Sequence, residues 1–457
     1  MRIGRSGDAD MTEGVIWKQI ITFSVPMMIG LLFQQLYNTV DAVIVGHFVG
    51  DAALAAVGST GSILNMLVGL CTGIAAGAGI VISQHYGAHD HEKLSRAVHT
   101  AITLTLLFSV VATIVGVLIT PAMLRMMKTP GDVLTDSTTY LTIYFAGITG
   151  LLVYNMGSGI LRAVGDSRRP LYFLCCSAIL NTVGDLVFVV VFDWGVAGVA
   201  VATILSQMVS AVLVLLVLMR TDAPYGLKLR QLRIHKDMLS SILALGMPSG
   251  IQQVVTSFSN VFVQSYINVF GKECMAGWTS YNKIDAFILI PVQSISMAAA
   301  TFVGQNYGAK KYTRARDGVR LSAIMSFTVC VVATGVVLLL QRQLLALFSL
   351  DNKSLAYGMK FITIISPFYL TICFNQIYAS ALRGTGSAKL PTVIMLGSFV
   401  VFRQIFLFVN SLLGGSFLGT ALAYPAGWVL CTILLTIAYR RCKLFKLQDV
   451  PELLTAQ

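Results

Sequence analysis

The chain has 457 residues, 56% hydrophobic and 11% charged, with a formal net charge of +12. Soluble domains carry roughly a quarter charged residues, so this composition excludes an ordinary water-soluble enzyme and places most of the sequence in lipid. The basic excess is sorted by loop, as described below, and calls for no nucleic-acid partner.

At the start, Met1 to Trp17 mixes Arg2, Arg5, Asp8, Asp10 and Glu13, and no small-residue cleavage site follows a short apolar core. No cleavable signal peptide is therefore expected. Crossing the hydrocarbon takes about 20 apolar residues. Such stretches fall near 20–46, 54–82, 98–120, 138–160, 171–192, 196–219, 240–269, 276–303, 321–345, 358–381, 390–412 and 417–439. These are continuous apolar runs, whereas a barrel needs short alternating strands. The predicted class is an all-α polytopic membrane protein of about twelve transmembrane helices.

With an even number of spans, most Lys and Arg fall on one set of ends, among them Arg2, Arg5, Lys93, Arg96, Arg168, Arg169, Lys310, Lys311, Arg440, Arg441 and Lys446. The other set holds Arg125, Lys128, Lys272, Arg342, Lys353 and Lys360. Short basic loops stay cytoplasmic, so a multi-pass protein of the cell inner membrane with both termini in the cytoplasm is expected.

The halves repeat. Gln84-His85-Tyr86-Gly87-Ala88 returns as Gln305-Asn306-Tyr307-Gly308-Ala309, an offset of 221 that also relates Gly50 to Gly271, Arg162 to Arg383, Gly165 to Gly386, Pro170 to Pro391 and Gly198 to Gly419. Pro26 and Pro248 are one residue out of that register. Each copy holds an even number of spans, so both enter from the same side, giving a parallel repeat. The expected domains are an amino-terminal six-helix lobe (1–221), a cytoplasmic linker (222–237) and a carboxy-terminal six-helix lobe (238–457). Pro26 and Pro248 permit kinks, and Gly73, Gly77 and Gly79 permit close packing of the second span.

Five ionisable residues remain at membrane depth: Asp41, Asp185, Lys283, Asp285 and Arg403. A charge at the bilayer centre costs at least about 2.5 kcal/mol, so it faces a cavity, a partner or a pathway. Asp41 shares a helical face with Gln34, Tyr37 and Asn38, and Asp185 shares one with Asn181. Asn155 on the fourth span and Thr203 on the sixth can complete that polar set. Two carboxylates in a poorly hydrated cavity resist being charged together, so one can load and release a proton. The same oxygens suit a hard monovalent cation, which leaves H⁺ and Na⁺ both open, as well as a role in interhelical hydrogen bonding alone. Lys283 and Asp285 lie on different faces, and together with Arg403 are candidates for a carboxy-lobe cavity. Arg403 suits an interhelical bridge or contact with lipid headgroups.

The eight cysteines have no metal or redox spacing and read as packing residues. His85, His89, His91 and His99 form no recognised metal pattern, and no metal other than Na⁺ is expected. There is no phosphate-binding GxxxxGK[ST] loop.

These features resemble the multidrug and toxic-compound extrusion (MATE) family over essentially the full chain. The likeness rests on the two loops at 84–88 and 305–309, on Pro26 ahead of Gln34-Gln35-Leu36-Tyr37-Asn38-Thr39-Val40-Asp41, on Leu161-Arg162-Ala163-Val164-Gly165-Asp166, and on Leu382-Arg383-Gly384-Thr385-Gly386. The resemblance implies a secondary active transporter, not an enzyme, exporting cationic or amphipathic organic compounds in antiport with H⁺ or Na⁺ by alternating access of two lobes. It implies a coupling-ion site at Asp41, Asn181, Asp185 and Thr203, with Gln34, Tyr37, Asn38 and Asn155 as supporting network and substrate cavity. Where some members place acids in the seventh and tenth spans, this chain has Gln252, Gln253, Asn260, Gln264, Asn375 and Gln376. No cofactor beyond the coupling ion is expected, and the partners are a small organic substrate and membrane lipids around a monomer. The alternatives are a lipid-linked oligosaccharide or polysaccharide flippase of the same superfamily, for which only Lys283 and Arg403 offer cavity cations, and an intramembrane aspartyl enzyme built on Asp41 and Asp185.

Overall fold

The computed structural model describes residues 10–126, 130–348, 351–445, 447 and 449. Arg2, Arg5, Lys128 and Lys446, used above for orientation, lie outside the described residues. Among the described residues there are fifteen α-helices and no strand. The first seven are α1 (Ile16–Ile44), α2 (Asp51–Gly87), α3 (His91–Met126), α4 (Gly131–Ala146), α5 (Ile148–Ala163), α6 (Arg168–Asp185) and α7 (Gly195–Arg220). They are followed by α8 (Lys236–Asn268), α9 (Lys272–Gly308), α10 (Tyr312–Ala346), α11 (Asn352–Ile365), α12 (Tyr369–Gly384), α13 (Lys389–Leu396), α14 (Arg403–Leu412) and α15 (Phe417–Arg440).

Among the described residues, eleven helical stretches are long and apolar enough to cross a membrane, and α4 with α5, bent by 50° where they meet, supplies a twelfth. The all-α polytopic class and the count of about twelve spans are borne out. The bend falls at Gly147, where a Cβ would come within 2.2 Å of Ile204 on α7. The corresponding span of the second half also breaks, in a short 3₁₀ turn at Ser366–Phe368 between α11 and α12.

The repeat extends to backbone geometry. Helices α2 and α9 begin and end 221 residues apart, and each follows a left-handed glycine, Gly50 at φ 114° and Gly271 at φ 89°. At the paired loops, Ala88 N donates to Gln84 O at 3.0 Å and Ala309 N to Gln305 O at 2.9 Å. Gly165 and Gly386, at φ 93° and 85°, close α5 and α12 in the same way, donating to the carbonyls of Arg162 and Arg383. Only glycine adopts that conformation without a Cβ penalty.

Two compact units result, one built from Ile29–Gly250 and the other from Met11–Met28 together with the chain from Ile251 onward. Helices α1 and α8 are therefore each divided between units, in both cases two residues after a proline, Pro26 and Pro248. In the first unit, the start of α8 packs on α2 through glycine: a Cβ on Gly73 would stand 2.2 Å from Gly250 N, and one on Gly77 2.3 Å from Gly246 N. A Cβ on Gly79 would stand 3.6 Å from the Gly159 carbonyl, an ordinary contact. In the second unit, Ile20, Phe23 and Met27 of α1 join a core with Phe302, Val303, Ala315 and Ile377.

The segments leading into α1 and α8 are tied down by polar side chains. Gln305 Oε1 accepts from Met11 N at 2.9 Å and Asn306 Nδ2 donates to Met11 O at 3.0 Å. Arg314 donates to the carbonyls of Met11, Glu13 and Gly14 and to Gln19. In the first unit, His99 Nε2 accepts from Lys228 N and Thr100 Oγ1 from His235 N, each at 3.1 Å. His99 thus has a structural partner in the 222–237 segment.

Candidate functional site

Asp41 lies near the end of α1, one turn before the helix widens into a π turn at Val45–Val49. Asp185 is the last residue of α6, and a second π turn, Leu186–Val191, begins immediately after it. A π turn breaks the regular hydrogen-bond ladder and is characteristic of functional sites. Both acids thus stand at a change of helical pitch.

The structure brings these carboxyl groups into mutual side-chain contact. Around them, Asp185, Asn181 and Thr203 are 0%, 2% and 8% exposed. Asn181 Nδ2 donates to Thr203 Oγ1 at 3.4 Å, and that hydroxyl donates to Val199 O at 3.0 Å. Asp41 Oδ1, Asn181 Oδ1 and both Asp185 oxygens are buried acceptors that no donor fills among the described residues. The ion pairs among the described residues lie at helix starts, Asp90–Lys93, Glu92–Arg96 and Asp166–Arg169, and none reaches this site. Buried unfilled acceptors are costly, and two facing carboxylates repel.

Tyr37 contacts Gln34 and lies within electrostatic reach of Asp41. Asn38 is exposed, and the Asn155 amide donates to Leu151 O of its own helix at 2.8 Å. Neither hydrogen-bonds to the pair. Two contributors were missed from sequence: Tyr140 on α4 stands near both Asp41 and Asp185, and Tyr144 near Asp41, their rings 6.1 Å apart. Their spacing of four residues puts both on one face of the helix, the signal that would have found them.

The repeat stops at this site. At the 221-residue offset, Asn181 corresponds to Phe402, Asp185 to Phe406 and Thr203 to Tyr424; Asp41 corresponds to Phe262, or to Val263 on the register of the prolines. Only the amino-terminal unit carries the carboxylate pair, although both units share the scaffold.

The carboxy-terminal candidates make separate side-chain contacts. Asp285 accepts from Tyr369 OH at 2.5 Å and from Tyr281 OH at 3.3 Å, and the two phenols are 2.9 Å apart. Buried Arg403 donates to Ser259 Oγ at 2.9 Å and Asn260 Oδ1 at 2.8 Å, with its guanidinium 4.6 Å from the centre of the Tyr424 ring. Tyr424 lies within electrostatic reach of both Asp285 and Arg403. Lys283 points elsewhere, its ammonium 5.0 Å from the centre of the Phe348 ring.

Comparison with known proteins places this geometry in context. The family model described as MatE matches residues 26–187 and again 248–409. The chain is 28% identical over 428 residues to the probable multidrug resistance protein YoeA of Bacillus subtilis (strain 168), covering 92% of each chain. It is 29% identical to the probable multidrug resistance protein YpnP of the same strain, covering 96% of this chain and 98% of that one. Among solved structures, an outward-facing multidrug resistance MATE family transporter of the MOP superfamily superposes with a TM-score of 0.91 at 23% identity, over 98% of this chain and 99% of that one.

Proposed function

This chain belongs to the MatE family of multi-pass membrane transporters, and on that premise we propose that it is a secondary active exporter of cationic or amphipathic organic compounds, in antiport with H⁺ or Na⁺. The observation that carries the reading is the pair of Asp41 and the buried Asp185, with its unfilled oxygen acceptors and, among the described residues, no cationic side chain paired to it. Such a site gains a proton or a hard monovalent cation at low cost and attracts neighbouring positive charge less once it has done so.

In the proposed cycle, an external cation enters between Asp41 and Asp185, with Asn181 and Thr203 adding neutral oxygens. The reduced negative charge of the pair weakens its attraction for a cationic substrate, which then leaves outward. The emptied pair favours reloading of substrate from the cytoplasm. The π turns following both acids give the two helices an alternative packing that can respond to occupancy. The drive is sufficient: about 2.3 kcal/mol per charge per 100 mV, plus about 1.4 kcal/mol per pH unit for a coupled proton. The protein is proposed to sit in the cell inner membrane with both termini cytoplasmic, in accord with the basic residues of the loops.

The test is competition at equilibrium. Binding of a fluorescent organic cation to the purified protein in detergent should weaken when either pH is lowered or Na⁺ is added, and Asp41→Asn should remove that dependence. Binding of the dye that ignores both ions in the wild-type protein would refute the reading.

A further inference from the structure

We propose that a groove formed by α10, α12 and α15 binds an anionic phospholipid from the membrane leaflet that meets the basic loops. The groove has a volume of 480 Å³ and lies entirely within the carboxy-terminal unit, remote in sequence from every residue of the proposed transport site. Its walls are apolar, with Ile324 and Phe327 of α10 facing Phe374 and Tyr378 of α12 and Tyr439 of α15. Ile324 is 52% exposed and Phe327 38%, so the groove opens sideways where a membrane-spanning helix meets lipid. Tyr378 and Tyr439 stack with ring centres 4.9 Å apart, and Phe445 closes on Tyr439 edge-on at 5.2 Å.

The mouth of this groove is basic. Arg316 and Arg320 line it one helical turn apart in the early turns of α10. Arg440 at the end of α15 stands within electrostatic reach of Tyr378. Asp317 is the one carboxylate lining the groove, and it forms no ion pair with Arg320 among the described residues. The Arg316 guanidinium donates to Thr313 Oγ1 at 2.8 Å and lies 5.8 Å from the centre of the Phe445 ring, which holds it at the rim.

Depth agrees with this chemistry. The 35 residues of α10 rise about 1.5 Å each and exceed the roughly 30 Å hydrocarbon by several turns. Its early turns therefore reach headgroup level, beside the loop carrying Lys310 and Lys311. Guanidinium pairs match phosphate oxygens in planar, bidentate geometry. An apolar slot below them accepts an acyl chain. Basic pockets between spans on the cytoplasmic side favour anionic headgroups for these reasons.

Native mass spectrometry of the full chain in detergent tests the assignment, using phosphatidylglycerol and phosphatidylcholine with identical acyl chains. Phosphatidylglycerol should be retained in preference, and the double variant Arg316→Gln/Arg320→Gln should lower its retention by about fivefold per guanidinium removed. A second variant, Ile324→Trp, fills the slot while leaving both arginines in place, and should lower retention of phosphatidylglycerol as well. Equal retention of the two lipids, or no loss in either variant, would overturn the proposal. Full displacement of phosphatidylglycerol by inorganic phosphate would also overturn it, because the site would then hold a free anion and no lipid.

Discussion

His89 and Lys310 stand 221 residues apart and adopt the same left-handed backbone, at φ 53° and 58°, although neither is glycine. Each follows a Tyr-Gly-Ala turn and donates to the tyrosine carbonyl, His89 N to Tyr86 O and Lys310 N to Tyr307 O, both at 3.1 Å. The repeat thus preserves a conformation that the side chains resist. Replacing either residue by valine should cost about 1–2 kcal/mol, because a β-branched side chain tolerates this region worst. Glycine at the same position should be neutral or stabilising. Thermal unfolding in detergent measures both, and equal stability of the valine and glycine variants would show that the loops relax out of this conformation.

Gly73 and Gly77 face Gly250 and Gly246 with no room for a methyl group. Gly73→Ala and Gly77→Ala should each destabilise the protein by about 1–3 kcal/mol through forced separation of α2 from α8. Gly79→Ala, where a Cβ meets only the Gly159 carbonyl at 3.6 Å, should be nearly neutral. The same unfolding assay ranks the three, and a Gly79 variant as damaging as the other two would contradict the packing described here.

Asp351 caps α11, accepting from Ser354 N at 2.9 Å and Ser354 Oγ at 2.7 Å. Those hydrogen bonds favour the ionised form and hold its carboxyl below the usual range. A carboxyl lowered in the folded state contributes stability that is present above its unfolded value and is lost as pH falls through the folded one. The difference in melting temperature between wild type and Asp351→Asn should therefore shrink as pH drops below the usual carboxylate range. A difference independent of pH would remove the charge from the account of this cap.

Asp285 is engaged by two phenols in the unit that lacks the carboxylate pair. Asparagine retains an oxygen acceptor there, so Asp285→Asn should fold. On the single-site reading it should leave the identity of the coupling ion unchanged, with transport within about threefold of wild type, equivalent to less than 1 kcal/mol. Loss of ion dependence in proteoliposomes carrying this variant would put a second coupling group in the carboxy-terminal unit.

Much of this architecture was legible in the sequence because lipid imposes simple rules. Apolar runs of span length located the helices, and a fixed 221-residue offset located Gly50, Gly165 and their partners. Asp41, Asn181 and Asp185 stood out because oxygen-bearing side chains at helical spacing are costly in an apolar run, whereas Thr203 joined them through the family resemblance. Tyr140 and Tyr144 did not, since tyrosine is common in spans and its hydroxyl declares a partner only in three dimensions. The π turns after Ile44 and Asp185 have no composition of their own. The division of α1 and α8 between two units arises from tertiary packing that helical periodicity does not encode; only Pro26 and Pro248 hinted at it.

The central claim, that Asp41 and Asp185 form the coupling-ion site, is tested most directly in proteoliposomes loaded with a fluorescent organic cation. A pH gradient and a Na⁺ gradient would be imposed separately on wild type and on Asp41→Asn. The account predicts that one of the two gradients drives transport in the wild type and that the asparagine variant lowers the driven rate at least about tenfold, or about 1.4 kcal/mol. Gradient-driven transport at the wild-type rate in Asp41→Asn would contradict it and reduce the pair to interhelical packing.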